Sequence, residues 1–351
     1  MISDELVAVS ESTARELLVD LVSIPSPSGD ESTCATRLVD FFETHDREVW
    51  IDSIGNVHSP GDDGVLLTSH LDTVPGQRPV KVEDGTLWGR GSVDAKGPLA
   101  AMAVASVTTG ASFVGVVREE TDSAGAHQLI QHRDPPAALI NGEPSGWDGI
   151  TLGYRGAVHG TYHTSTTAGH NTEPMPNAIE TALSWYQAVS PTGSEDNDNQ
   201  FEQVSVTPLS FDGGLSDAGT AMAATIEFEC RLPPGVEPAS LMADLDANAT
   251  DASITWGQPI PPVMMDARNS VATALRGSIR EIGGSPRMLR KTGTSDMNVY
   301  TTGWDIPMAT YGPGDSALDH APDERLPLDA FDRSITVLES TATRLLSGDS
   351  Q

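Results

Sequence analysis

Two histidines and five carboxylates are placed along this chain as the ligands and proton carriers of a metal site would be: His70, Asp72, Asp94, Glu119, Glu120, Glu143 and His320. In His70-Leu71-Asp72 two side chains fall on one side of an extended segment, so the imidazole can ligate a metal while the carboxylate fixes the ring and raises its basicity. Alone, such a pair is more often a surface hydrogen bond. Asp94 lies in Gly89-Arg90-Gly91-Ser92-Val93-Asp94-Ala95-Lys96-Gly97, a glycine-punctuated loop that can offer a carboxylate with both oxygens free. Such a carboxylate can bridge two cations about 3.5–4 Å apart; the plainer reading is an Asp in a turn or a helix cap. Glu119 and Glu120 repel each other unless a cation or a shared proton neutralises them. One can bind metal while the other takes a proton from water, or the two are a solvated pair in an acidic chain. His320 sits in Ala317-Leu318-Asp319-His320-Ala321-Pro322-Asp323-Glu324, which reads as a loop, whereas His45, His58, His127 and His132 have no comparable setting and read as surface or local structural residues. Together the seven groups supply what a two-zinc hydrolase site needs and imply metal-dependent hydrolysis of an amide.

The elements that must position them are short apolar runs of the kind that make buried parallel strands. Val65–Leu67 leads to His70, Phe113–Val117 to Glu119 and Glu120, and Ala137–Ile140 through Asn141-Gly142 to Glu143. The polar groups therefore collect at the carboxyl ends of strands, where open α/β sheets bind ligands. Ala14, Leu17, Leu18, Leu21 and Val22 have helical spacing, Glu31–Glu43 reads as a second helix, Val49–Ile51 as a strand, and the Ala-rich Leu99–Val107 as a helix that packs closely on the sheet. From about Leu152 the style changes. Val158, Gly160, Tyr162 and Thr164 alternate with His159, Thr161, His163 and Ser165, and Ile226, Phe228 and Cys230 with Glu227, Glu229 and Arg231, which predicts a half-exposed sheet. Asn177–Val189 reads as a helix between these strands and Ser190–Gln200 as a mobile surface loop. After Pro261-Pro262 the first style returns, with helical spacing from Val271 to Ile282 and a last helix over Phe331–Leu346. The expected division is a larger domain of residues 1–151 and 263–351 with a smaller one, 152–262, inserted.

At 351 residues and 38% hydrophobic content the chain can bury a substantial core. Its formal charge of −30 comes from 50 acidic against 20 basic residues, and lysine occurs only at Lys81, Lys96 and Lys291. That balance argues against a basic face for nucleic acid, and the apolar periodicity argues against a disordered acidic chain. A carboxylate-rich, lysine-poor surface fits a salt-adapted host instead, since concentrated salt screens self-repulsion. Cys34 and Cys230 lack metal-ligand spacing and read as thiols of a reducing compartment. With an acidic N-terminus and no apolar stretch of about 20 residues, the expectation is a soluble cytoplasmic protein with no membrane partner.

Taken in order, Ser69-His70-Leu71-Asp72-Thr73-Val74-Pro75-Gly76, the Gly89–Gly97 loop, Glu119-Glu120-Thr121, Gly142-Glu143-Pro144 and His320 closely resemble the dizinc deacylase and aminoacylase family of metallopeptidases across nearly the whole chain. The resemblance implies an α/β, zinc-exopeptidase-like catalytic domain with a mainly parallel sheet flanked by helices, and an inserted α+β domain for dimerisation or as a lid. It implies two Zn²⁺ per subunit, which Co²⁺ or Mn²⁺ could replace: His70 and Glu143 on one ion, Glu120 and His320 on the other, Asp94 bridging. Asp72 would orient His70, Glu119 would be the general base and then the acid, and the Asp94–Ala95 peptide would be cis. His170, in Ala168-Gly169-His170-Asn171, would reach a partner subunit's site in a homodimer and help stabilise the oxyanion.

Within that family, Thr151–Gly156, Arg231-Leu232-Pro233-Pro234-Gly235 and Lys291–Asn298 are similar to hydrolases that release lysine or ornithine from an amino-group carrier protein. Arg155, Arg231, Lys291, Thr294 and Ser295 are the substrate-binding candidates. The chain departs from succinyl-diaminopimelate and acetylornithine deacylases in having no Asn-Val-Ile-Pro-like stretch between Phe211 and Ile226, so a substrate contact made by that Asn is in doubt. Arg268, Arg276, Arg280, Arg287, Arg290 and Lys291 are six of the 20 basic residues and fall in one short stretch. They suit either docking of a carrier's C-terminal glutamate or ion pairing with local acids such as Asp266 and Glu281. Small-molecule deacylation, short-peptide cleavage and, from another class, a non-catalytic metal-binding role are the competing readings.

Overall fold

Short runs of β-branched and small apolar residues build the main sheet, whose strands run in the order Trp50–Ile51, Val57–Ser59, Ala111–Val116, Asp62–His70, Leu139–Gly142, Met308–Thr310 and Gly149–Tyr154. The four from Ala111–Val116 to Met308–Thr310 are parallel neighbours, and the pairs outside them are antiparallel. The computed structural model describes residues 8–167, 176–190, 197–216 and 218–348. They fall into two units, Met1–Leu152 with Met265–Leu289 and Ser295–Gln351, and Gly153–Met264 with Arg290–Thr294. The last of these segments was not part of the insertion expected at 152–262.

In the larger unit the helix Lys96–Thr109 is buried from Lys96 to Val107. Its small residues, Ala100, Ala101, Ala103 and Ala105, let the sheet and the helices Glu11–Ser23 and Leu328–Ser347 approach it closely, and Gly110, at φ 77°, ends it with the left-handed turn that glycine adopts without cost. The helix begins three residues earlier than its apolar stripe indicates, directly after the cis peptide Asp94–Ala95. Helices Ser32–Thr44, Ala124–His132, Ser270–Glu281 and Asp296–Gly303 complete the unit.

The second unit is a four-stranded antiparallel sheet in the order Ser205–Leu215, Ala221–Leu232, Gly156–Thr167, Ala252–Trp256, with helices Ala178–Val189 and Pro238–Asn248. Register pairs Tyr162 with Ile226 and Val158 with Cys230. These side chains are buried with Phe228, Trp185 and Leu245, while the alternate positions His159, His163 and Glu227 face outward as the period of two requires. Of the loop expected at Ser190–Gln200, residues 191–196 lie outside the described residues, and Asn197–Glu202 is a short 3-10 helix rather than loop. No described helix is long and apolar enough to cross a membrane.

Candidate metal centre

Three parallel strands end side by side, and each delivers a charged group. His70 closes Asp62–His70, Ala111–Val116 leads to Glu119 and Glu120, and Leu139–Gly142 leads to Glu143. His70 is in register with Val116, and Ser69 with Gly142, so parallel pairing itself makes neighbours of residues about 50 and 70 positions apart. Asp94 comes from the loop that starts the buried helix, and His320 from the loop after the short 3-10 helix Ser316–Leu318.

The two oxygens of Asp94 face different histidines. Its Oδ1 is 3.2 Å from His70 Nε2, which also lies 3.8 Å from Glu143 Oε1. Its Oδ2 is 3.1 Å from His320 Nε2, itself 3.0 Å from Glu120 Oε2. Ligand atoms of His70, Glu119 and Glu143, and those of His70, Asp94 and Glu120, lie within 4.8 Å of one another. The structure thus brings all five expected metal ligands and Glu119 together around one carboxylate.

Asp72 holds three parts of this arrangement at once. His70 Nδ1 lies 2.9 Å from the Asp72 carbonyl and 3.4 Å from its carboxylate; a proton donated there leaves the Nε2 lone pair facing Asp94 and Glu143. The same carboxylate accepts from the Glu119 N–H at 3.0 Å, the Glu120 N–H at 3.1 Å and the Ser28 hydroxyl at 2.7 Å. Burial works to lower the His70 pKa, but the contacts with Asp72 and Asp94 outweigh it and hold the pKa well above the usual imidazole value. Burial, then the charge of Glu143, pushes the Glu119 carboxyl far above the usual carboxylate range. His320 is pushed up to about 10 by its contacts with Asp94 and Glu120. The two histidine shifts come from neighbouring carboxylates, whereas for Glu119 burial comes first and nearby negative charge second. Such N/O donors fit divalent zinc.

Asp296 was not anticipated. It starts the helix Asp296–Gly303, is almost wholly buried, and burial pushes its pKa up to about 7 against opposing contributions from Ser123 and His70. Its negative charge is among the influences that raise the Glu119 pKa.

The expected substrate contacts divide differently. Arg155 is 5% exposed, and its guanidinium donates to the Gln203 and Arg231 carbonyls at 2.7 and 2.9 Å and to the Ser205 hydroxyl at 2.8 Å, so it ties strands together inside the second unit. Arg231 donates to Glu229 at 2.6 Å and reaches Thr294 Oγ1 at 3.5 Å, while the Lys291 carbonyl accepts from the Arg155 N–H. Ser295 caps a helix, its hydroxyl accepting from the Met297 N–H while Asn298 accepts from the Ser295 N–H. Arg287 pairs with Asp148 and Arg290 with Glu202. His170 lies outside the described residues. His58 is 3.1 Å from Asp52 and stacks on Trp50, while His45 and His132 bond to carbonyls one helical turn back.

Comparison with known proteins places the chain among known sequences and folds. The sequence profile described as peptidase family M20/M25/M40 matches residues 66–344. The chain is 38% identical to a LysW-lysine hydrolase of Deinococcus radiodurans, over 95% of this chain and 98% of that protein. It is 31% identical to a LysW-lysine/LysW-ornithine hydrolase of Saccharolobus islandicus, over 90% and 91%. In fold it resembles a dinuclear metal-binding peptidase of Bacillus subtilis, with a TM-score of 0.72 at 14% identity over 96% of this chain and 98% of that one.

Proposed function

Because the chain belongs to peptidase family M20/M25/M40, a family of metal-dependent hydrolases, we propose that it hydrolyses the amide joining the C-terminal glutamate of an amino-group carrier protein to lysine or ornithine, releasing the free amino acid for lysine or arginine biosynthesis. The observation that carries this reading is the full-length similarity to hydrolases of LysW-bound amino acids. His70 and Glu143 would hold one zinc, Glu120 and His320 a second, and Asp94 one ion with each oxygen; Co²⁺ or Mn²⁺ would serve with the same donors. Bound there, zinc supplies Lewis acidity, polarising the scissile carbonyl and making water acidic enough to lose a proton near neutral pH.

The chain's own residues do the rest. Glu119, half-buried and with its pKa raised, takes the proton from the attacking water and returns it to the departing amine. Asp72 keeps His70 and the backbone of Glu119 and Glu120 in one frame, so base and ligands hold their mutual geometry as charge moves. His170 would donate to the oxyanion. Arg231, Lys291 and Thr294 stay the candidates for substrate contact, whereas the Arg155 and Ser295 side chains are engaged in holding backbone.

The test compares kcat/KM of the metal-loaded enzyme, in high potassium chloride, on carrier-linked lysine and ornithine against acetylornithine, succinyl-diaminopimelate and short peptides. The expected preference for the carrier-linked amide is at least about 100-fold, equivalent to roughly 3 kcal/mol of carrier contacts. Preference for a free acylated amino acid would move the assignment to small-molecule deacylation and leave the hydrolytic site standing.

A homodimer belongs to the same reading. The edge strand Ser205–Leu215 exposes Leu209 at 58%, Phe211 at 45% and Leu215 at 63%, and an apolar edge this long is a template for a second chain unless covered. Light scattering is expected to give twice 37.0 kDa for the parent protein and a monomer for Leu209→Lys with Phe211→Lys; a monomeric parent would rule the dimer out.

A further inference from the structure

The small sheet of Lys81–Glu83, Thr86–Trp88 and Arg325–Pro327 pairs Arg325 with Trp88 and Leu326 with Leu87. The chain entering it at Glu324 therefore runs beside the chain leaving it at Gly89 and Arg90, and the Gly89 N–H donates to the Glu324 carbonyl at 3.3 Å. The Glu324 side chain is wholly buried. One of its oxygens accepts from the N–H groups of Val93 at 2.9 Å and Asp94 at 3.2 Å, and the other from Arg90 Nη1 at 2.6 Å. The Arg90 fork extends further, with Nη2 3.4 Å from the His320 carbonyl and Nε 3.3 Å from the Gly76 carbonyl. One buried ion pair thus joins the Asp94 loop, the His320 loop and the segment that follows His70 and Asp72. Arginine suits this place because its planar fork serves three acceptors in fixed directions.

The five candidate ligands are not equally supported. His70 ends a buried strand and has its ring on Asp72, Glu143 follows another buried strand, and the Glu120 backbone is held by the Asp72 carboxylate. His320 has a side chain 51% exposed, a backbone φ of 59° that non-glycine residues adopt rarely, and no regular element of its own. Its backbone is tied to the site by the bond from Arg90, and Arg90 is in turn anchored by Glu324.

We propose that Arg90 and Glu324 form a positioning pair that sets the separation of Asp94 from His320, and so governs affinity at the metal position of His320 and Glu120 more than at that of His70 and Glu143. This rests on the two-metal reading of the site, which zinc titration of the full-length parent against a chelator tests first: two ions per chain are required, and fewer would overturn both statements.

Given two, Glu324→Gln and Arg90→Lys are expected to bind one zinc as the parent does and the second about 10–100-fold more weakly, the usual cost of removing a group that orients a ligand. The unfolding temperature of the metal-free protein is expected to stay near that of the parent. Equal weakening at both positions, or a lowered unfolding temperature with both affinities intact, would reduce the pair to a structural role and overturn the proposal. Arg90→Ala gives an independent arm, since Arg90 lines a cavity of about 330 Å³ with Thr73, Gly76 and Arg78, and an added guanidinium would have room there. Millimolar guanidinium is expected to restore the second affinity in that variant; no recovery would count against the pair as decisively as the first failure.

Discussion

Glu119→Gln is expected to lower kcat by about 10²–10⁴-fold, the usual contribution of a positioned general base, with zinc content and KM close to those of the parent. Glutamine keeps the shape of the side chain and the N–H that Asp72 accepts, but it cannot take a proton. Burial is the first cause that raises the Glu119 pKa, and it favours a carboxylate that accepts a proton from water and, once protonated, returns it. Single-turnover kinetics beside metal analysis would check this. A variant retaining more than about a tenth of the parent rate with full metal content would remove Glu119 from the proton path.

Asp94→Asn acts on a different term. Each Asp94 oxygen addresses a separate histidine, at 3.2 Å from His70 and 3.1 Å from His320, and an amide offers one acceptor oxygen and a nitrogen that cannot ligate. The variant is expected to lose one ion and to drop kcat/KM by about 10³-fold or more, as a loss of several kcal/mol of charge stabilisation requires. Chelator titration and turnover, measured together, separate this from simple unfolding. Two tightly held ions and a rate within about tenfold of the parent would end the bridging assignment.

The positions that end strands were legible because a buried parallel strand writes its address in sequence: Val65–Leu67, Phe113–Val117 and Ala137–Ile140 each point at a charged residue, and their register brings those residues together. The alternation in the second unit was legible for the same reason of period. Arg90 and Glu324 were not, since Glu324 meets Arg90 and the Val93 and Asp94 amides across about 230 residues, brought near by the pairing of Thr86–Trp88 with Arg325–Pro327. Nor was the reach of Asp72 to two backbone amides and Ser28, which depends on how turns close after the strands. Ser295 carried a signal that could have been used: Ser295-Asp296-Met297-Asn298 has the spacing of a capping box, and the structure forms one. Arg155 gave no such warning, because an arginine serving carbonyls and one serving a ligand look alike in sequence.

The helix that follows Asp94 has almost no face of its own on solvent. A segment enclosed on every side has no private opening, so its amides exchange with solvent only when the larger unit unfolds as a whole. Occupancy of a site rooted there feeds directly into global stability by mass action. The loop of His320, half exposed and outside regular structure, has no such enclosure. If the site takes the proposed ions, their exchange is expected at the His320 end, while the enclosed helix keeps the other end fixed.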